Sequence, residues 1–449
     1  MLAFITSKTF WTIQTKKNLR ELLLNKHLLE LYDTASPFEA MVDTCIYIAV
    51  NKDKKSNYNI KFSDGKKSLS RPEIYNVSSQ LFKESLNSTI FLPNNKNLQV
   101  YDLYNKKVTE LYNNWWGKIS DSKRVKKNNT ELEKYRSNLK QGDLTLLGML
   151  AEGGVGLQTG NNGKFIGVLK GTKIAERIKV TRIKKFNEAI KKYSIKEYKS
   201  IEGKPELEVR EIFDNLKEEY GRDILGQGFL FKIIDKNEIA DVDKLTKNEK
   251  ENGVSIGKKA FVPYDKGDRE GNRWYLETPY YINWSKENVT FLKSNSGKKG
   301  KGMPVFRNPQ FYFREGFCWS DIHTVLIKCR LKNKSIHDVK SMSLFSISIK
   351  IPEFFIICIL NSSFISKYSH NFINATSSFQ INDARRLPII IPSEEQLSIF
   401  KNIFGKAVKI KKEQFSDINN KKKETIVKKL EVIQNELDNE VEKLYGLRE

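Results

Sequence analysis

Met1-Leu-Ala-Phe-Ile-Thr-Ser7, Thr15-Lys-Lys-Asn-Leu-Arg-Glu-Leu-Leu-Leu24, Leu28-Leu-Glu-Leu-Tyr32 and Thr44-Cys-Ile-Tyr-Ile-Ala-Val50 are the segments whose order decides the fold. Leu2 to Thr6 is a short apolar run with β-branched content, which predicts a strand. Leu19, Leu22 and Leu23 repeat at helical spacing. Leu28 to Tyr32 reads as a strand, and Thr44 to Val50 as another, apolar enough to be buried on both faces. Strand, helix, strand, strand is the end of an open α/β sheet. Such a piece leaves one sheet edge without neighbours, so the chain is expected to start partway through a larger domain.

Working outward, composition bounds the rest. The 449 residues allow two or three domains, and 39% hydrophobic with 11% aromatic content supplies real cores. Lys and Arg outnumber Asp and Glu by 78 to 54, a formal net charge of +24 that attracts polyanions. Nucleic acid is the leading partner class; a genome bias toward Lys, Asn and Ile codons is the competing explanation. Cys45, Cys318, Cys329 and Cys358 form no Cys-x-x-Cys pair and the four histidines do not cluster near them, which argues against zinc and against a disulfide framework. No apolar run reaches the roughly 18 residues of a membrane span, and no cleavable leader is visible. A cytoplasmic location is expected.

Asn57 to Ser70 is polar and Lys-rich, Ile74 to Leu86 and Leu98 to Trp116 show mixed helical spacing, and Gly117 to Lys140 is strongly charged. The region 57–145 reads as a helical linker in which Trp115 and Trp116 pack into a neighbouring domain. Gly153-Gly-Val-Gly-Leu-Gln-Thr-Gly-Asn-Asn-Gly-Lys-Phe165 fails as a nucleoside-triphosphate loop, with Gln158 where that frame needs glycine and Phe165 where it needs Ser or Thr. Its glycines would let backbone amides approach a phosphate, while Gln158, Thr159, Asn161, Asn162 and Lys164 are short or cationic groups suited to DNA; a tight turn between strands is the alternative.

Glu176 to Tyr220 predicts solvated helices inserted in the domain that follows the linker. Phe261 to Tyr275 reads as a basic, glycine-bearing hairpin bounded by aromatics, with Lys266, Arg269 and Arg273 as candidate DNA contacts. Lys298, Lys299 and Lys301 lie in a Gly-rich cationic loop suited to phosphate. Asn308-Pro309-Gln310-Phe311 reads as a turn, and Phe313 to Ser320 as scaffold. Ser393-Glu-Glu-Gln begins a helix, and Ile426, Leu430, Ile433, Leu437, Val441 and Leu444 step along another that ends at Gly446. This last helix is expected to pack back on the domain before it, pairing with another chain being the alternative.

Several of these stretches resemble, in order, the C-terminal half of an adenine-specific DNA methyltransferase of the Type IIG restriction-modification and BREX PglX-like group, with a TaqI-like specificity domain. The matching pieces are Phe38-x-x-x-Val42-Asp43-Thr44, Gly156-Leu-Gln-Thr-Gly160-x-Asn162-x-x-Phe165, Pro263-Tyr-x-Lys-Gly267 with Trp274-Tyr275 and Asn283-Trp284, Leu360-Asn-Ser362, and Leu387-Pro-Ile-x-Ile-Pro392. The resemblance implies a mixed α/β chain: the end of a Rossmann-like methyltransferase sheet (1–56), the linker (57–145), an α+β target recognition domain (146–405) and a C-terminal amphipathic helical arm (406–449).

It implies that Phe38 stacks on a flipped adenine, although a loop or core anchor after Pro37 is the plain alternative. It also implies double-stranded DNA as partner and S-adenosylmethionine as the cofactor of the intact enzyme. The family's Gly-rich donor loop and Asn-Pro-Pro-Tyr motif, which precede the Phe38 segment, are not in this sequence. No cofactor is therefore expected on this chain alone, and no catalytic or metal-ligating residue is assigned. The expected function is sequence-specific DNA recognition in a restriction-modification or phage-defence system, possible partners including a separately encoded methyltransferase half. The alternatives are a working methyltransferase whose record is truncated, and a Type I specificity subunit.

Overall fold

The three strands that the N-terminal reading predicts, β1 (Leu2–Ser7), β2 (Lys26–Ala35) and β3 (Thr44–Asp53), share one sheet with two that it does not, β4 (Asn59–Asp64) and β5 (Glu73–Ser78), in the order β1-β3-β2-β4-β5. The pair β2 and β4 is parallel and the other neighbours are antiparallel, with Leu31 opposite both Tyr47 and Phe62. The structure is a computed structural model, and it describes residues 1–38, 42–54, 56–116, 129–221, 223–226, 230–268, 270–322, 326–348, 350–416 and 423–448. The side chains of Trp115 and Trp116, the charged residues 117–128, and Arg269 lie outside the described residues.

Two expectations about this sheet need correction. Strand β3 is not buried on both faces, since Ile46, Tyr47 and Ile48 are only half-buried. The Lys-rich segment after residue 57 is not helical at its start: Ile60 and Phe62 point inward at strand period while Asn59 and Lys61 point out. The lysines therefore mark the solvent side of a strand. The helix Lys17–Asn25 buries Leu23 and Leu24 but leaves Leu19 and Leu22 outward. Its fully buried Arg20 donates to the carbonyls of Phe10, Ile13 and Asn87 at 2.6 to 3.1 Å, and burial lowers its pKa to about 10.

The chain divides into two compact units. The first contains residues 1–152, 321–329 and 346–449, the second residues 153–320 and 330–345. In the first, Leu144–Leu146 pairs antiparallel with Pro388–Ile390, and the helix Glu353–Leu360 buries Phe355 through Leu360. Ser393 and Gln396 cap each other's backbone at the start of the helix Glu394–Ser416. The helix Lys423–Leu444 buries Ile426, Ile433, Leu437 and Val441, and its Asp438 accepts from the Ser363 backbone amide and hydroxyl, both at 2.7 Å.

The second unit is built on a sheet ordered Ile336–His337, Phe261–Asp265, Tyr280–Asn283, Ile166–Leu169, Lys232–Ile234. Ile166–Leu169 and Lys232–Ile234 are parallel neighbours, which demands a crossover. The helices Lys173–Tyr193 and Glu206–Tyr220 supply it, as the predicted insertion, and they bury a core of their own around Phe186, Ile212, Phe213 and Leu216. Gly316–Ser320 and Ser341–Ser346 pair antiparallel, with the former buried along most of its length, consistent with scaffold. Together these elements make the chain mixed α/β. Among the described residues no helix is long and apolar enough to cross a membrane, and no group of three or more His, Cys, Asp or Glu could hold a metal ion.

Candidate nucleic-acid interface

The described DNA candidates other than Phe38 fall in the second unit, on three loops and the short turn that follows the first. The first loop, residues 156–162, is fixed by backbone. Leu157 donates to the His337 carbonyl at 2.8 Å, and Gln158 exchanges both backbone hydrogen bonds with Val305 at 3.1 and 2.8 Å. A Cβ at Gly156 would fall on the His337 carbonyl, and one at Gly160, whose φ is +68°, would fall on the backbone of Gly302 and Met303. Only glycine permits this approach. Two loops some 140 residues apart in sequence are thereby joined main chain to main chain.

Within the first loop the polar side chains divide by task. The buried Thr159 hydroxyl donates to Asn162 Oδ1 at 2.6 Å, and Asn161 Oδ1 accepts from the Lys164 amide at 3.2 Å, capping the turn Asn162–Phe165. These three side chains build the loop. Gln158 and Lys164 are exposed, the Lys164 ammonium lying 4.1 Å from the centre of the Phe291 ring.

The second loop follows the helix Lys286–Ser294 and closes where the Gly297 amide meets the Pro304 carbonyl at 2.9 Å. Gly297, Gly300 and Gly302 all have positive φ, which turns Lys298, Lys299 and Lys301 out to solvent. Lys298 donates to Asn295 at 3.0 Å, and Lys301 is paired at 2.7 Å with Asp223, beyond the second insertion helix.

The third loop joins Phe261–Asp265 to Tyr280–Asn283, an antiparallel pair as the hairpin reading expects. Asp268 holds it: its backbone amide donates to Ser320 Oγ at 2.8 Å, and its carboxylate accepts from the Glu270 amide and the Asn272 amide and side chain. Lys266 is mostly covered, its side chain 23% exposed, 3.6 Å from Asp338 and 5.8 Å from the centre of the Phe231 ring. The half-buried Arg273 lies over Trp274 at 5.5 Å.

Beneath this loop runs a buried polar network. Asp265 accepts from Arg330 at 2.8 Å and from the Cys318 thiol at 3.0 Å. Burial would raise the Asp265 carboxyl, but Arg330 and the thiol outweigh it and hold it below the usual range. Tyr264 donates to Asp338 at 2.7 Å, and burial raises its phenol pKa. Lys332 donates to the carbonyls of Arg314, Asn333 and Ser335, and burial lowers its pKa to about 8. His337, wholly buried and 3.1 Å from the Gly154 carbonyl, is pushed down to about 3 by burial, with Lys332 adding to the effect. The network fixes the root of the third loop and leaves its charges no access to a ligand.

Phe38 lies in the first unit, just past β2, and is 56% exposed. Cβ atoms at Gly153, Gly154 and Gly156 would meet Ser343, Asn308 and His337, so the space beside this glycine run is filled by the protein's own chain. Sequence reading missed Asp223, Phe291 and Asp338 as partners of the candidate cations Lys301, Lys164 and Lys266. Each meets its cation only through tertiary contact, so no local pattern could reveal it.

No family model matches the chain, and no curated protein matches it. Among solved structures, the type IIL restriction-modification enzyme MmeI in complex with DNA is similar with a TM-score of 0.46 at 10% identity, over 100% of this chain and 47% of that one. The type IIG restriction endonuclease BpuSI is similar with a TM-score of 0.27 at 11% identity, over 99% and 47%. The chain thus spans about half the length of each.

Proposed function

We propose that the second unit binds duplex DNA through the joined first and second loops, as the DNA-reading part of an adenine-specific methyltransferase of a restriction-modification or phage-defence system. The observation that carries the binding reading is the backbone union of Gln158 with Val305 and of Gly160 with Gly302. It presents Gln158, Lys298 and Lys299 from a rigid base. Exposed lysines on such a base suit phosphate contact, and the neighbouring glutamine suits an adenine edge. Lys266 and Arg273 are tied to Asp338 and Trp274, so on this reading they orient the hairpin, and the DNA contact falls first to the loop lysines. In the intact enzyme Phe38 would stack on the flipped adenine, and a methyltransferase half would hold the S-adenosylmethionine.

The test is the salt dependence of duplex binding. Each lost phosphate contact lowers the log-log slope by about 0.9. Lys298→Ala with Lys299→Ala should lower its magnitude by up to about two, and adding Lys301→Ala should lower it by less than one more, because Asp223 already occupies that ammonium. A slope unchanged in the double variant removes the loops from the interface.

A further inference from the structure

We infer that the exposed row of the first insertion helix, Lys173–Tyr193, is a further contact for the phosphate backbone of duplex DNA, on the segment flanking the one the loops hold. The inference rests on the DNA reading above. Charge in the insertion is segregated by helix: the first carries eight Lys or Arg against two Glu, the second two against six acidic residues. The first helix turns Ala175, Ile178, Arg182, Phe186 and Ala189 inward, and Arg182 closes a two-pronged ion pair with Glu206 of the second at 2.7 and 2.8 Å.

Its outward side repeats every seven residues. Arg177, Lys184 and Lys191 are exposed, and residues seven apart return to nearly the same azimuth, about 10 Å further along the axis. The two helix carboxylates make their ion pairs with lysines outside this row, although Lys184 adds to Lys185 in lowering the pKa of Glu188. Glu176 pairs with Lys179 at 2.9 Å, and Glu188, which shares the face, pairs with Lys185 at 2.8 Å. Among the described residues no carboxylate forms an ion pair with Lys184 or Lys191.

The row also starts beside the candidate interface. Arg177 lies 3.7 Å from Glu270 of the hairpin loop, both side chains being at least 70% exposed. The far end of the insertion meets the lysine loop through Asp223 and Lys301. A cationic line about 20 Å long, starting at the hairpin loop of the same unit, matches a partner that carries phosphate every 3.4 Å along each strand.

Two duplexes separate the possibilities, one of about a single helical turn and one of about three. Lys184→Ala with Lys191→Ala should lower the salt slope on the long duplex by up to about two and leave the short one unchanged. Lys184→Glu with Lys191→Glu should weaken long-duplex binding about tenfold or more. Both pairs are exposed, and an unchanged circular dichroism melt would confirm the fold. If the loop variants lower the slope and the helix variants do not, the row only complements its acidic partner helix and the inference falls while the DNA reading stands. Equal loss on both duplexes would remove the flanking placement. A wild-type chain that binds neither duplex overturns both readings.

Discussion

Gly160 and His337 show how single residues set the loops, and how differently the two could be read beforehand. The Gly-Leu-Gln-Thr-Gly run is visible as a special stretch, but that Gly160 must be glycine because Gly302 passes against it is a tertiary fact. Gly160→Ala should therefore cost more than the roughly 1–2 kcal/mol of a left-handed alanine. Gly171, at φ +83° with nothing near its Cβ position, provides the comparison, and Gly171→Ala should cost only that amount. Equal losses by urea unfolding would mean that the two loops part freely. His337 predicts a pH dependence. The unfolded imidazole takes a proton near its ordinary 6.5, while the folded one resists until about 3. Between these values the unfolded state binds more protons, so stability is fully present above about 6.5 and falls as the pH drops. From pH 7 to 5 this amounts to about 2 kcal/mol. His337→Gln should flatten that part of the curve; the same acid slope in wild type and variant would show that the ring is already charged when folded.

At the scale of elements, long apolar patterns were legible and short charged ones were not. Strands β2 and β3, the two insertion helices and the C-terminal helices follow from periodicity because each has a buried face; β1, expected as a buried strand from its apolar run, is a strand but leaves Leu2, Phe4 and Ile5 exposed. Strands β4 and β5 escaped because polar residues surround few inward side chains, Ile60, Phe62 and Ser63 in β4 and only the half-buried Tyr75 and Val77 in β5. Phe62 tests that correction. It is fully buried and sits 5.2 Å from Trp11, edge to face, so Phe62→Ala should cost about 3–5 kcal/mol. A surface residue in a helical linker would lose less than 1 kcal/mol by the same measurement.

The whole molecule is less legible still, because its units are not continuous in sequence. The chain leaves the first unit after Glu152, returns for residues 321–329, leaves again and returns at Ser346. The glycine run that begins at Gly153 coincides with the first crossing, and the packing reveals the others. One consequence concerns the C-terminal helix, which the apolar stepping of Ile426 to Val441 predicted, with the expectation that it packs on the domain before it, but without a hint of Tyr104. Tyr445 just beyond it is buried, donates to the Pro388 carbonyl at 2.7 Å and accepts from Tyr104, so the helix closes onto segments from both ends of the first unit. Truncation before Lys423 removes Ile426, Ile433, Leu437, Val441 and Tyr445 from that core. At about 1.5–3 kcal/mol each, the loss rivals the whole stability of a typical domain, about 5–15 kcal/mol. Hydrogen exchange on the truncated chain should therefore show lost protection in the helix Glu353–Leu360, while the hairpin strands Phe261–Asp265 and Tyr280–Asn283 keep theirs. Protection lost in both places would mean that the units fold as one, and protection kept in both would make the helix an appendage.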